Sequence, residues 1–197
     1  MITQMIEKMR FLDELEFCKG CKATLESTQP VFPIGPKRKN GVVIVGRNPG
    51  RDEDEVGIPF VGRSGRFLNT WLMECDIPRR ECYITNVLKC HTASNRPPEM
   101  AELLVCSRVW LHLELKYLEP KMIVVLGADA YWGVFGERLT PFLEQTGKIK
   151  DIPEKNCKAV ILPHPSAVLT YRPELKEKYN NVVEPVRELY NEITVSQ

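Results

Sequence analysis

The sequence predicts an α/β fold, a parallel sheet with helices on both faces. Three observations carry this. Short unbroken apolar runs such as Val42–Val45 and Met122–Leu126 recur along the chain. They lack the polar alternation of half-exposed strands, and that is how fully buried strands read. Helical patterns separate the runs, and strands that alternate with helices pair in parallel. Polar or turn-forming residues close the runs: Gly46, Asn86, Gly127 and Pro163-His164. In an open α/β sheet those carboxyl ends converge on one crevice, where ligands bind.

The elements follow in order. Met5, Ile6, Met9, Leu12 and Leu15 recur at helical spacing and predict an amphipathic helix over Thr3–Phe17. Thr24–Asn40, with Pro30, Pro33 and Pro36, reads as a surface loop. The first strand follows at Val42–Val45 and breaks at Gly46-Arg47-Asn48-Pro49-Gly50. Asp52, Glu53, Asp54 and Glu55 then read as a solvated acidic loop, ahead of Pro59-Phe60-Val61-Gly62 and a helix over Gly65–Cys75. Glu81–Leu88 is a second strand, and Glu99–Leu118 a long helix. Lys121–Leu126 is a third strand, Ala128–Phe135 a short helix, and Ala159–Leu162 a fourth strand. Lys148-Ile149-Lys150 falls in a less regular region, and a last helix covers Glu174–Glu192. No internal repeat or second-domain signal interrupts residues 1–197, which are expected to form a single domain.

Composition narrows the class. With 43% hydrophobic residues over 197 positions the chain is globular. No apolar run approaches the roughly 20 residues that span a bilayer. The N-terminus carries acids and lacks the apolar core of a secretory signal, so a cytoplasmic location without membrane contact is expected. A formal net charge of +1 excludes a global basic field, so any nucleic-acid site must be a local patch.

Seven cysteines are many for a reducing compartment, where spaced cysteines more often bind metal than form disulfides. Cys18-x2-Cys21 and Cys90-x15-Cys106 supply four thiolates. Four thiolates suit tetrahedral zinc or an iron–sulfur cluster, and spacing alone leaves the two open. Cys75, Cys82 and Cys157 have no partner spacing and read as small buried residues.

The strand end at Gly46–Gly50 and the loop at Pro59–Gly62 bring an amide, an aromatic ring and backbone N–H groups to one crevice. That combination suits a small molecule or a single base. Taken together and in order, GRNPGRDEDEVGIPFVGRSG, TNVLKC, the four-cysteine spacing and LPHPSAVL resemble the uracil-DNA glycosylase superfamily, and within it the iron–sulfur branch called family 4. The resemblance runs from Cys18 to about Leu189. It implies a three-layer αβα sandwich around a four-stranded parallel sheet, and a [4Fe–4S] cluster on Cys18, Cys21, Cys90 and Cys106. It also implies hydrolysis of the N-glycosidic bond of a base flipped out of single- or double-stranded DNA.

The site residues follow from the matched motifs. Phe60 resembles the ring that stacks on the base, Asn86 the amide that reads its edge, and His164 the donor to its carbonyl. Gly46, Arg47 and Gly50 lie in the first motif and belong to the base pocket. The segment from Ala167 to Arg172 resembles the loop that enters the duplex, with Val168, Leu169, Tyr171 and Arg172 as candidate wedge residues. Arg63, Arg66, Lys89, Arg96 and Arg172 are the candidate phosphate contacts. One position departs from family 4, which has Gly-Glu-x-Pro-Gly where this chain has Gly46-Arg47-Asn48-Pro49-Gly50. Asn48 in Asn-Pro-Gly is similar to the water-positioning asparagine of the mismatch-specific and thymine-DNA glycosylase branches. No motif positions a lysine for a Schiff base, so a monofunctional, monomeric glycosylase acting on uracil or a modified pyrimidine is expected. Two other readings are a glycosylase for a bulky phage-type base and a homologue that binds DNA or uracil without turnover.

Overall fold

The computed structural model describes residues 13–15 and 18–195. The helix expected over Thr3–Phe17 therefore lies mostly outside the described residues; only a short 3-10 turn at 13–15 is described there, with Leu15 buried. The strands are β1 (Val42–Gly46), β2 (Cys82–Asn86), β3 (Met122–Leu126), β4 (Lys148–Ile152) and β5 (Cys157–Leu162). They form one sheet in the order β2-β1-β3-β5-β4, parallel except for the antiparallel β4–β5 hairpin. The four expected strands are present and parallel, and β4 adds a fifth, antiparallel one at the edge. Its sequence, KIKDI, keeps charged side chains on an exposed edge, which is how edge strands avoid further pairing. Its pattern therefore lacks the apolar run of the buried strands.

The helices are α1 (Ala23–Glu26), α2 (Arg51–Val56), α3 (Arg63–Glu74), α4 (Met100–Cys106), α5 (His112–Leu118), α6 (Ala128–Phe135), α7 (Pro165–Thr170), α8 (Lys176–Asn180) and α9 (Val183–Val195). Two expected helices are interrupted. A π-helical segment, Ser107–Leu111, separates α4 from α5 immediately after Cys106, and the C-terminal helix breaks between Asn180 and Val183. The acidic loop is in fact α2, closed by Gly57 in the left-handed conformation (φ +74°).

Side chains alternate across each strand, so the sheet divides its own residues between two cores. Val43, Val45, Tyr83, Ile123, Val125 and Ile161 face one core, with Trp110, Leu111 and Tyr131 from the helix layer over it. Val42, Ile44, Ile84, Val124, Val160 and Leu162 face the other, with Leu68, Trp71, Tyr179 and Val186. Those are the three layers of the expected sandwich. Because β1 has β2 on one side and β3 on the other, the chain reverses its direction of travel across the sheet at β1. The switch point, and so the ligand crevice, lies beyond the carboxyl end of β1. Among the described residues no helix is long and apolar enough to cross a membrane.

Candidate active site

The parallel register places Gly46 directly beside Asn86 at the strand ends. A Cβ on Gly46 would stand 2.5 Å from Phe60 Cζ and closer still to Asn86 Oδ1. Glycine is therefore required there for the ring and the amide to meet. Phe60 itself takes a left-handed backbone (φ +55°), unusual for a bulky residue and costly by about 1–2 kcal/mol. Arg79 holds it by donating from Nη2 to the carbonyls of Pro59 (2.9 Å) and Phe60 (3.2 Å). Gly65 leaves room for the Phe60 carbonyl, which any Cβ at 65 would strike.

Glu53 holds the same loop from the other side. Its Oε1 accepts from the backbone N–H groups of Val61 (2.9 Å) and Gly62 (2.8 Å), and its Oε2 from that of Gly50 (3.0 Å). Asp54 accepts twice from the Thr28 N–H, at 3.0 and 2.9 Å. Both carboxylates are buried, so half of the presumed solvated run is structural. The sequence signal was present: an acid three residues after the helix-capping Gly50 is the return half of a capping box.

His164 follows β5 and caps α7. The Ser166 backbone N–H donates to its Nδ1 at 3.2 Å, so the ring proton of the neutral form resides on Nε2. Burial and the nearby Arg47 guanidinium lower the His164 pKa to about 4, so the ring is neutral at pH 7. Its loop is anchored by the Tyr179 hydroxyl, which donates to the Pro163 carbonyl at 2.6 Å. The Phe60 and His164 rings stand 6.3 Å apart, centroid to centroid, inclined at 32°.

The first-motif turn is equally ordered. Arg47 Nε donates to Asn48 Oδ1 at 2.7 Å, and Asn48 Nδ2 donates to the Pro49 carbonyl at 2.9 Å. His91 Nδ1 lies 3.1 Å from that same carbonyl, so this histidine braces the turn. Arg47, Asn48, Gly50, Phe60, Asn86 and His164 line one cleft of ≈ 610 Å³, with Arg63 and Tyr171 at its margin. Asp52 is the one acid of the run that lines the cleft and remains exposed.

Residues 32–187 match the model of the uracil DNA glycosylase superfamily. The chain belongs to the uracil-DNA glycosylase superfamily. It is 36% identical over 181 residues to a type-4 uracil-DNA glycosylase of Archaeoglobus fulgidus, covering 89% of each chain. It is 34% identical over 191 residues to that of Sulfurisphaera tokodaii, covering 93% of this chain and 84% of the relative. The enzyme of the same name from Pyrobaculum aerophilum is 36% identical over 171 residues, covering 83% and 86%.

In this superfamily member, Cys18, Cys21, Cys90 and Cys106 ring one small cavity between α1 and α4. None is in a disulfide. Burial pushes Cys90 up to about 11 against an opposing hydrogen bond from Ser27, and the neighbouring Cys21 and Cys18 add to the rise. Burial likewise pushes Cys106 up to about 12, with further rises from Cys90 and Cys21 and an opposing effect from Lys89. Cys21 and Cys90 thus lie within electrostatic reach of each other and of both Cys18 and Cys106. Among the described residues no three side chains close on a single-ion site. An all-sulfur donor set suits a soft metal or a cluster.

Several expected DNA contacts are corrected. Lys89 is 1% exposed. Its Nζ lies 2.5 Å from Glu114 Oε1 and donates to Thr85 Oγ1 (2.6 Å) and the Asn86 carbonyl (2.7 Å), so it cannot reach a phosphate. Arg96 is spent on Glu26 and Glu102, at 2.9 and 2.7 Å, clamping α1 to α4 beside the cysteines. Val168 is buried in the core and cannot act as a wedge, whereas Leu169 and Tyr171 are exposed. Arg172 is exposed but pairs with Glu174 at 2.8 Å. Arg63 and Arg66 are exposed and make no ion pair among the described residues.

Proposed function

We propose that this chain is a monofunctional DNA N-glycosylase that removes uracil from DNA. The observation that supports it is the convergence of Phe60, Asn86 and His164 on one cleft of ≈ 610 Å³ at the sheet's switch point, in a chain whose relatives are named uracil-DNA glycosylases. The base leaves the stack at a cost of a few kcal/mol. Stacking on Phe60 returns roughly 1–3 kcal/mol, and Leu169 and Tyr171 fill the gap left in the duplex. The amide of Asn86 offers both a donor and an acceptor to the pyrimidine edge.

As the C1′–N bond breaks, its electron pair stays on the base and positive charge develops on the sugar. The Nε2–H of neutral His164 donates to the base carbonyl that gathers the charge. Water held by the free lone pair of Asn48 Oδ1 adds to C1′, its proton passes to solvent, and the base anion is later protonated. The chain works as one intracellular domain and a monomer, with Arg63 and Arg66 on the phosphates. Cys18, Cys21, Cys90 and Cys106 hold a [4Fe–4S] cluster. When bound, the cluster supplies iron–sulfur bonds that tie the N-terminal segment to α4, and hydrolysis needs no electron from it.

A panel of oligonucleotides, each with one altered base and scored for abasic sites, tests the reading. Release of uracil is expected. Asn48→Ala should lose most turnover while keeping substrate affinity, because its water contact matters mainly in the transition state. Tight binding without release of any base would favour the non-catalytic reading. Iron and acid-labile sulfide near four atoms each per chain are expected for the cluster; stoichiometric zinc in anaerobically purified protein would refute it.

A further inference from the structure

Arg47 lines the cleft, and the reaction above gives it no contact with the base or the sugar. It stands at the end of β1, half-buried, on the wall shared with Asn48, Asn86 and His164. Its Nε is committed to Asn48 Oδ1 at 2.7 Å. No carboxylate lies within ion-pair distance of it among the described residues; Asp129 acts on it only through space. The other arginines lining the cleft, Arg51 and Arg63, are exposed. Arg47 is thus the one partly desolvated cation in the pocket, and a guanidinium does not give up its charge. Partial burial without a carboxylate partner costs free energy, and an anion arriving in the cleft would offset that cost. His164, the other electropositive group, is held neutral, in part by Arg47 itself.

We propose that Arg47 forms an anion subsite for the departing base: its guanidinium offsets the negative charge gathered on the ring, while His164 contributes an uncharged N–H. The proposal rests on the glycosylase reading and deepens it. It divides the leaving-group work between a fixed charge and a neutral donor. The bond Arg47 makes to Asn48 also sets the water-binding amide, so the test must separate the two roles.

Single-turnover release is compared for oligonucleotides carrying deoxyuridine or 5-fluorodeoxyuridine. The fluorinated ring is the more acidic and needs less stabilisation as it leaves. Arg47→Gln should slow uracil release by about 10²–10³-fold, and 5-fluorouracil release at least tenfold less than that. Arg47→Lys, which keeps the charge, should recover part of the uracil loss and serves as the readout if the Gln variant does not fold. An equal loss on both bases would overturn the proposal, leaving Arg47 as a positioning residue for Asn48. So would unchanged or faster uracil release.

A second arm needs no turnover. Free 5-fluorouracil is titrated into protein bound to abasic DNA between about pH 7 and 9. The ionisable groups about the cleft besides its arginines are His164, Asp52, Glu53, Asp129 and Tyr171, and all of them remain in place in Arg47→Gln, so any titration of theirs is common to both proteins. Affinity should rise as the ring ionises, and Arg47→Gln should abolish the rise. A pH-independent affinity in the unsubstituted protein would overturn the anion subsite. If the protein releases neither base yet shows the Arg47-dependent rise, the glycosylase reading falls and the subsite stands.

Discussion

Replacing Lys89 by methionine should cost the fold heavily and leave DNA electrostatics untouched. Lys89 and Glu114 are 1% and 0% exposed at the side chain, with Nζ 2.5 Å from Oε1. Removing one partner of such a buried pair leaves the other charge without a counter-ion, which costs about 3–5 kcal/mol. For a chain of this size, 1 kcal/mol moves Tm by roughly 2–4 °C, so a drop of about 6–20 °C is expected on thermal unfolding. Glu114→Leu alone should cost a similar amount, because it strands the ammonium. The double variant Lys89→Met/Glu114→Leu should recover most of the loss, since apolar replacements of a buried pair are often close to neutral. It should still fall about 1–3 kcal/mol short, because Thr85 Oγ1 and the Asn86 carbonyl lose their donor. The salt slope of DNA binding should be the same in Lys89→Met and the unsubstituted protein, because the ammonium does not reach a phosphate. Single variants that each lose under 1 kcal/mol, additive effects in the double variant, or a slope reduced by one unit would refute the reasoning.

Three further outcomes are expected. His164 is pulled from an ordinary 6.5 down to about 4, so its donor should be unaffected by pH until the medium approaches that value. The unfolded chain takes up the proton first, so the stability due to this group is whole above about pH 6.5 and is lost progressively as pH falls towards 4, measurable as Tm against pH beside His164→Gln. Gly46→Ala should drive Phe60 and Asn86 apart, since its Cβ would stand 2.5 Å from the ring, and uracil affinity and turnover should fall together by about tenfold or more, a loss of roughly 1.4 kcal/mol; unchanged affinity would refute the packing argument. Neutralising Arg63 or Arg66 should each lower the salt slope of DNA binding by about one unit, with little change in Tm.

The sequence by itself determined the α/β class, the buried strands and the convergence of Asn48, Asn86 and His164. Each rests on local physics: an unbroken apolar run reads as a buried strand, and a polar or turn-forming residue ends it. The four cysteines were legible as a set from their spacing and motif order. Tertiary structure alone decided which charges are spent. Lys89, Arg96, Glu53 and Asp54 look as solvated in the sequence as Arg63 or Asp52, because their partners lie 25 residues or more away along the chain or across a loop. Glu53 was foreshadowed by its spacing from Gly50, but nothing local foretold that its carboxylate would hold the Phe60 loop. The β4 edge strand was hidden for the same reason, since half its surface faces water and so carries no buried-strand pattern. Burial, and with it the difference between a DNA contact and a structural ion pair, is a property of what the rest of the chain packs around a residue, and no window of sequence contains it.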